Sequence, residues 1–417
     1  MKKQLIFISV IFFIKISFAQ EINIALVQSE KKWQIIDDAG QILTPKNFDF
    51  FYSSGLEYST EYSEYKSLIF KPSENIFKYR QNLKYGFFNL SGTVNIPPEF
   101  DYAENFKNGM AIVYKDKKFG LIDTAGNRYF NFSDYELLDF NDNLILFKDN
   151  KKHGFFDING NIIIPCEYKK LRPFRCNRAA VKIKGKYGYF DTNGNLVAAP
   201  EYLYAGDFKN NRAIVLTDSG YAVIDTAGKY VIKPGYTKIK NEKNGFYLVK
   251  KDKFWGFADT SGRQITEPVF SAAGYFSEGL AAVKKLKLWG MIDENGKQKI
   301  IYKYQKIKQC KENRIVVKQN DFWHYIFPDD KRLNNENYKK AYNFSCGRAR
   351  VLIEDKIGFI DKNGNLIVPA IFENAYDFKN GYARIKQNGK WGFIDKNGNF
   401  IIEPVYTHIS DFFKIRM

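Results

Sequence analysis

Cysteine, histidine and long apolar runs are all scarce in this sequence, and each shortage closes off a class of function. Only four cysteines stand among 417 residues. A scaffold stapled by disulfides would carry them densely and repeat them in every unit. Cys166, Cys176, Cys310 and Cys346 do neither and form no CxxC pair, so free, partly buried thiols are expected. The three histidines, His153, His324 and His408, include no pair at metal-ligand spacing. A Gly-x-Ser-x-Gly nucleophile turn and a phosphate-cradling glycine loop are missing as well. No catalytic residue, cofactor or metal is therefore expected. Acidic residues are also in deficit, 46 against 64 Lys and Arg, which leaves a formal net charge of +18. A charge of that sign and size suits anionic partners, or simply a lysine-rich solvated surface.

The one apolar run lies at the start. Lys2 and Lys3 precede a largely apolar stretch from Leu5 to Phe18, and Ser17-Phe18-Ala19 offers the small residues of a cleavage site. Residues 1–19 thus read as a signal peptide, too short and too interrupted by Lys15 to anchor the chain. Its removal lowers the charge to +15 by taking away Lys2, Lys3 and Lys15. The expected mature chain is exported, periplasmic or secreted, with no membrane span.

The rest of the sequence repeats. Taking Asp293 of Leu-Trp-Gly-Met-Ile-Asp-Glu-Asn-Gly as a mark, its counterparts are Asp37, Asn89, Asp123, Asp157, Asp191, Asp225, Asp259, Phe327, Asp361 and Asp395. From Asn89 onward the marks stand 34 residues apart; the first gap is 52, one period plus an 18-residue insertion within 49–71. Eleven copies therefore occupy 20–417, and Phe412 reads as the start of a truncated twelfth. Val, Ile, Phe and Tyr in period-two runs, broken by Gly and Pro, exclude helical repeats of the same length. Three strands per unit are expected, as at Leu280–Lys285, Leu288–Asp293 and 298–302, with Pro ending the third or lying on an edge.

Each column of the repeat carries a physical demand. Gly stands three residues after the mark in ten copies, and the mark then opens a tight turn that its carboxylate can cap. One carboxylate per unit is too few for a calcium site. Fourteen residues before the mark only Gly or Asn occurs, the types that tolerate positive φ. All five tryptophans, Trp33, Trp255, Trp289, Trp323 and Trp391, stand four before the mark and are usually followed by Gly. A strand apolar on both faces must be covered on both, so neighbouring units should bury each other's aromatics.

With those residues in view, the chain resembles the WG-repeat family of bacteria. Trp255-Gly256-Phe257-Ala258-Asp259, Trp289-Gly290-Met291-Ile292-Asp293 and Trp391-Gly392-Phe393-Ile394-Asp395 carry the resemblance. It implies a β-repeat, often in exported or surface proteins, and brings no catalytic residue with it. The unit marked by Phe327 departs furthest, with His324 for Gly and Asp330 for the turn Gly, yet keeps its length.

The expected fold class is all-β: a tandem array of about eleven three-stranded antiparallel units, as an open superhelix or as propeller-like rings. A single eleven-bladed ring would exceed the usual four to eight blades. The expected role is non-catalytic scaffolding that binds a protein or glycan of the cell envelope. Two surfaces could serve it. Lys32, Lys84, Lys118, Lys152, Lys186, Lys356 and Lys390 precede the aromatic column and would line up as a ladder for an anionic polymer such as lipopolysaccharide or extracellular DNA. In three consecutive units the same place holds Phe254, Leu288 and Phe322, an apolar stripe suited to a protein partner if it is exposed. A hydrolase is the remaining reading, resting on Glu57, Glu61 and Glu64 of the insertion.

Overall fold

The computed structural model describes residues 21–29, 32–43, 50–52, 76–81, 83–89 and 95–416. The expected leader and Glu57, Glu61 and Glu64 lie outside the described residues. All described elements are strands, grouped as eleven small antiparallel sheets. The sheets form one ring, so of the two expected arrangements the propeller-like one is adopted. We number the blades 1 to 11 in the order of their marks.

The blades usually have four strands rather than the expected three. In blade 8 the order is Ala272–Ala273, Leu280–Lys285, Leu288–Asp293 and Gln298–Tyr304. The added strand is two residues long and pairs with the hairpin end of the next (Ala272↔Lys284, Ala273↔Val283). In blade 2 this strand is Phe50–Tyr52, so the extra residues fall between the first and second strands of that blade.

Blade 1 is assembled from both ends of the chain. Glu21–Ser29 pairs with Lys32–Asp37 on one side, and with His408–Ile409 and Phe413–Arg416 on the other. Backbone bonds from Thr407 to Gln28 and from Ser410 to Leu26 complete the seam. Phe412 is therefore not the start of a twelfth copy. It lies between His408–Ile409 and Phe413–Arg416, the strands that the end of the chain adds to blade 1.

The core lies between blades. On the second strand of blade 8, Ala281 and Val283 pack with Leu248 and Phe257 of blade 7, while Leu280 and Ala282 pack with Ile315 and Val317 of blade 9. Period-two alternation thus feeds both interfaces from one strand. Eleven such clusters occur, where an open row of eleven blades would have ten. The eleventh joins Ala25, Val27 and Ile36 to Phe393, Ile402 and Phe412. A buried phenylalanine such as Phe276 contributes roughly 1.5–3 kcal/mol to such a cluster.

The turn columns behave as their residue types demand. Glu278 and Gly279 have φ of 50° and 77°, and Ser277 and Leu280 exchange both backbone bonds around them, a two-residue hairpin with positive φ at both centres. At the mark, Asp395 Oδ1 accepts from the backbone N–H of Asn397 (2.8 Å) and Asn399 (2.9 Å), and Oδ2 accepts from the Asn399 amide (2.9 Å). Gly398 N–H reaches Asp395 O at 3.1 Å, with Gly398 at φ 92°. Slight burial raises the Asp395 carboxyl, but these bonds outweigh it and hold the group below its ordinary value. The carboxylate is a turn cap.

The fourth strand carries the feature that explains the Gly after the aromatic. Trp289 pairs with Tyr304 and Met291 with Ile300, so three residues of the fourth strand bulge across Gly290 alone. The recurrent Pro sits within this bulge, where no ladder donor is required, as Pro268 does between Thr266 and Phe270. Of the two expected placements the Pro takes the edge: it does not end the strand, which runs on through Phe270 as the outermost of its sheet.

Blade 9 keeps the turn without its usual residues. Phe327 N–H bonds Lys331 O at 2.8 Å, Asp330 N–H bonds Phe327 O at 3.0 Å, and Asp330 takes φ 71°. His324 fits in place of Gly because the bulged strand is reduced here to the bridges Trp323↔Tyr338 and Ile326↔Arg332. Burial, then Arg332 and Lys303, pushes the His324 imidazole down to about 4; burial and Lys386 lower His408 too. A histidine held neutral stabilises the fold at neutral pH. That contribution fades as pH falls from the ordinary 6.5 toward 4, because the unfolded chain takes the proton first. The melting temperature should fall across this window, and less steeply in His324→Gln. Equal slopes in the two proteins would contradict the assignment.

Candidate functional site

The hairpin joining second and third strands carries the residues singled out for binding. Lys285 pairs with Leu288 at its mouth, as Lys251 does with Phe254 and Gln319 with Phe322. Phe254, Leu288 and Phe322 are 46%, 39% and 52% exposed, so the stripe faces solvent on three consecutive blades. Leu286, at the tip of the middle hairpin, is 90% exposed, with φ 54°. Lys253 and Lys287 flank the stripe and are exposed. An apolar row of this kind is costly to leave in water and marks contact surfaces.

The lysine ladder is less uniform. Lys118, Lys152, Lys356 and Lys390 are exposed. Lys84 is tied to Asp101 at 2.5 Å and Lys186 to Asp218 at 3.2 Å. The Lys32 backbone lies in a strand, and its side chain is outside the described part.

The aromatic column departs from expectation in one respect. The residues after it are fully buried, as Phe257 and Ala258 are, but Trp255, Trp289, Trp323 and Trp391 are half-buried. They sit at the hairpin end of their strands, one residue in from the hairpin mouth. Lysine stems cover their outer faces. Lys240 and Lys250 place ammonium groups 4.7 and 5.5 Å from the Trp255 ring centre, Lys308 lies 5.1 Å over Trp323, and Lys182 lies 5.1 Å over Tyr187. Ring and cation hold each other in place.

Cations also bridge blades. Lys308 Nζ donates to Ala341 O at 2.7 Å, Arg172 to Ala205 O at 2.9 Å, and Arg384 to Ile409 O at 2.8 Å. Each satisfies a carbonyl of the next blade's short first strand, so these charges serve the ring itself. Sequence reasoning missed them because donor and acceptor belong to different copies.

All four cysteines are free; Cys310 is buried and the others are half-buried. Among the described residues, no three His, Cys, Asp or Glu side chains come together as a metal site. No helix among them is long and apolar enough to cross a membrane.

No curated protein matches the chain. Solved structures resemble it only loosely. A crystal structure of the eukaryotic initiation factor is 10% identical over 76% of this chain and 97% of its own, with a TM-score of 0.38. Hsv2 from Kluyveromyces lactis is 10% identical over 54% and 93%, with a TM-score of 0.29. The AfRom2 CNH domain is 10% identical over 64% and 92%, with a TM-score of 0.25. Superpositions this loose say nothing about what the chain does. The profile of the WG containing repeat, in contrast, matches residues 85–119, 154–187, 187–221, 221–253, 255–289, 289–323, 357–391 and 391–414. These matches fall in phase with the 34-residue beat and span more than half the sequence: the chain belongs to the WG-containing repeat family.

Proposed function

We propose that the ring is a non-catalytic binding scaffold that works outside the cytoplasm and holds a protein of the cell envelope. The supporting observation is the exposed hairpin row Phe254, Leu288 and Phe322 with Leu286 at its centre. Lys253 and Lys287 beside it favour a partner whose apolar patch is rimmed by carboxylates. The leader read at residues 1–19 supports export. A rigid ring suits such a role because its hairpins are held in fixed register by the inter-blade clusters.

The test compares the native chain with Phe254→Ala, Leu288→Ala and Phe322→Ala combined, using as probe the protein captured from an envelope fraction. The variant should keep its melting temperature and bind roughly 100-fold more weakly, about 1 kcal/mol for each anchor lost. Binding should resist salt, as an apolar contact does. Unchanged affinity, or loss of folding in the variant, would overturn the reading.

A further inference from the structure

We propose that a basic track across blades 5, 6 and 7 binds an acidic polysaccharide of the polyuronate type. The track is separate from the apolar hairpins and does not rest on them. It consists of three open clefts of about 540, 320 and 750 Å³. The first two share Lys169 and Lys170, and the last two share Arg172 and Tyr204, so the clefts run into one another.

Charge along the track is unbalanced. Lys170 and Lys182 line it on blade 5, and Lys238 and Lys240 on blade 7. Two carboxylates, Glu167 and Asp207, share the lining, and Asp207 already pairs with Arg172 at 3.4 Å. Lys182 and Lys240 are held over Tyr187 and Trp255, so they lose little freedom when an anion arrives. Cations held at fixed positions on blades 5 and 7 suit a polymer that carries an anionic group on every unit.

Ring access decides which polymer. Single-stranded nucleic acid binds by stacking successive bases on open aromatic faces. Here Tyr187 and Trp255 have ammonium groups on their faces. Tyr168, Tyr221 and Tyr275 also line the track but are half-buried. Tyr204 at its middle is 43% exposed and offers one open ring, enough for a sugar face but not for a run of bases.

Binding of the full chain to polygalacturonate, dextran and an oligothymidylate tests this. Polygalacturonate should bind and weaken with added salt, and dextran should not bind. Lys170→Gln, Lys182→Gln, Lys238→Gln and Lys240→Gln together should weaken it by about tenfold or more. A control with Lys118→Gln, Lys152→Gln, Lys356→Gln and Lys390→Gln removes equal charge from the hairpin row and should change it by less than about twofold. Should the quadruple track variant fold poorly, Lys170→Glu alone, at an exposed side chain, should still weaken binding by about threefold. The alanine variant of Phe254, Leu288 and Phe322 should bind polygalacturonate normally, which separates this site from the protein-docking reading. No binding at low salt, equal losses in track and hairpin variants, or tighter binding of the oligothymidylate would each overturn the proposal.

Discussion

Ending the chain after Thr407 is expected to open the ring and unfold blade 1. The residues removed supply the strand that pairs with Val27 and Gln28, and the Ser410 hydroxyl that accepts the Leu26 N–H at 2.8 Å. They also supply Ile409 and Phe412, which are 4% and 1% exposed. Phe412 stacks on Phe393 with centroids 4.1 Å apart and contacts Tyr382 at 5.0 Å, so Phe412→Ala alone should cost about 3–5 kcal/mol. The truncation goes further, because it turns Glu21–Ser29 into a bare apolar edge, a template for aggregation. A closed ring has no ends from which to fray, whereas the opened chain gains two. Hydrogen exchange should therefore show protection lost at Ala25 and Val27 while the amides of blades 5 to 7 keep theirs. If the truncated chain kept the native urea midpoint and native protection at Ala25, the seam would not be what closes this fold.

The closure was the part of the architecture that local patterns did not carry. Period, strand type and turn chemistry were legible because each column answers a constraint within a few residues of itself. Asp395 caps a turn, Glu278 and Gly279 form a hairpin, and Ala281 and Val283 face one neighbour while Leu280 and Ala282 face the other. The pairing of Val27 with Ile409 spans almost the whole chain, and no periodicity reports it. A signal was nevertheless present: the first copy lacks an opening strand and the end of the chain has a surplus one at His408–Ile409, just before Phe412. The two-residue strand Ala272–Ala273 escaped because two residues cannot show alternation. The half-buried tryptophans were read as core because both faces of their strand are apolar; burial falls off at the hairpin end, which the sequence does not mark. The basic track was illegible for a related reason. Lys182 lies on Ala179–Ile183 of blade 5 and Lys238 on the first strand of blade 7, so only the ring joins the clefts they line into one track.

Gly290→Ala is expected to destabilise the protein by about 1–3 kcal/mol, toward the upper end of that range. A Cβ at Gly290 would lie 2.5 Å from Ile300 O and 3.1 Å from Ile301 C, both of them backbone atoms of the bulged fourth strand. No rotamer change relieves such a contact. Either the bulge or the third strand must shift, and Met291 and Ile292, buried in opposite inter-blade clusters, would shift with it. Gly274→Ala is the control. Its new methyl would meet nothing closer than 3.7 Å, and the residue has no positive φ, so the change should be neutral or stabilise by about 0.4–1 kcal/mol. Gly256 repeats the arrangement of Gly290, since a methyl added there would lie 2.7 Å from Thr266 O, and it should respond in the same direction. Urea midpoints of the three variants decide the matter. Equal midpoints for Gly290→Ala and Gly274→Ala would mean that the fourth strand yields freely. The glycine that follows Trp255, Trp289 and Trp391 would then need a reason other than the strand lying across it.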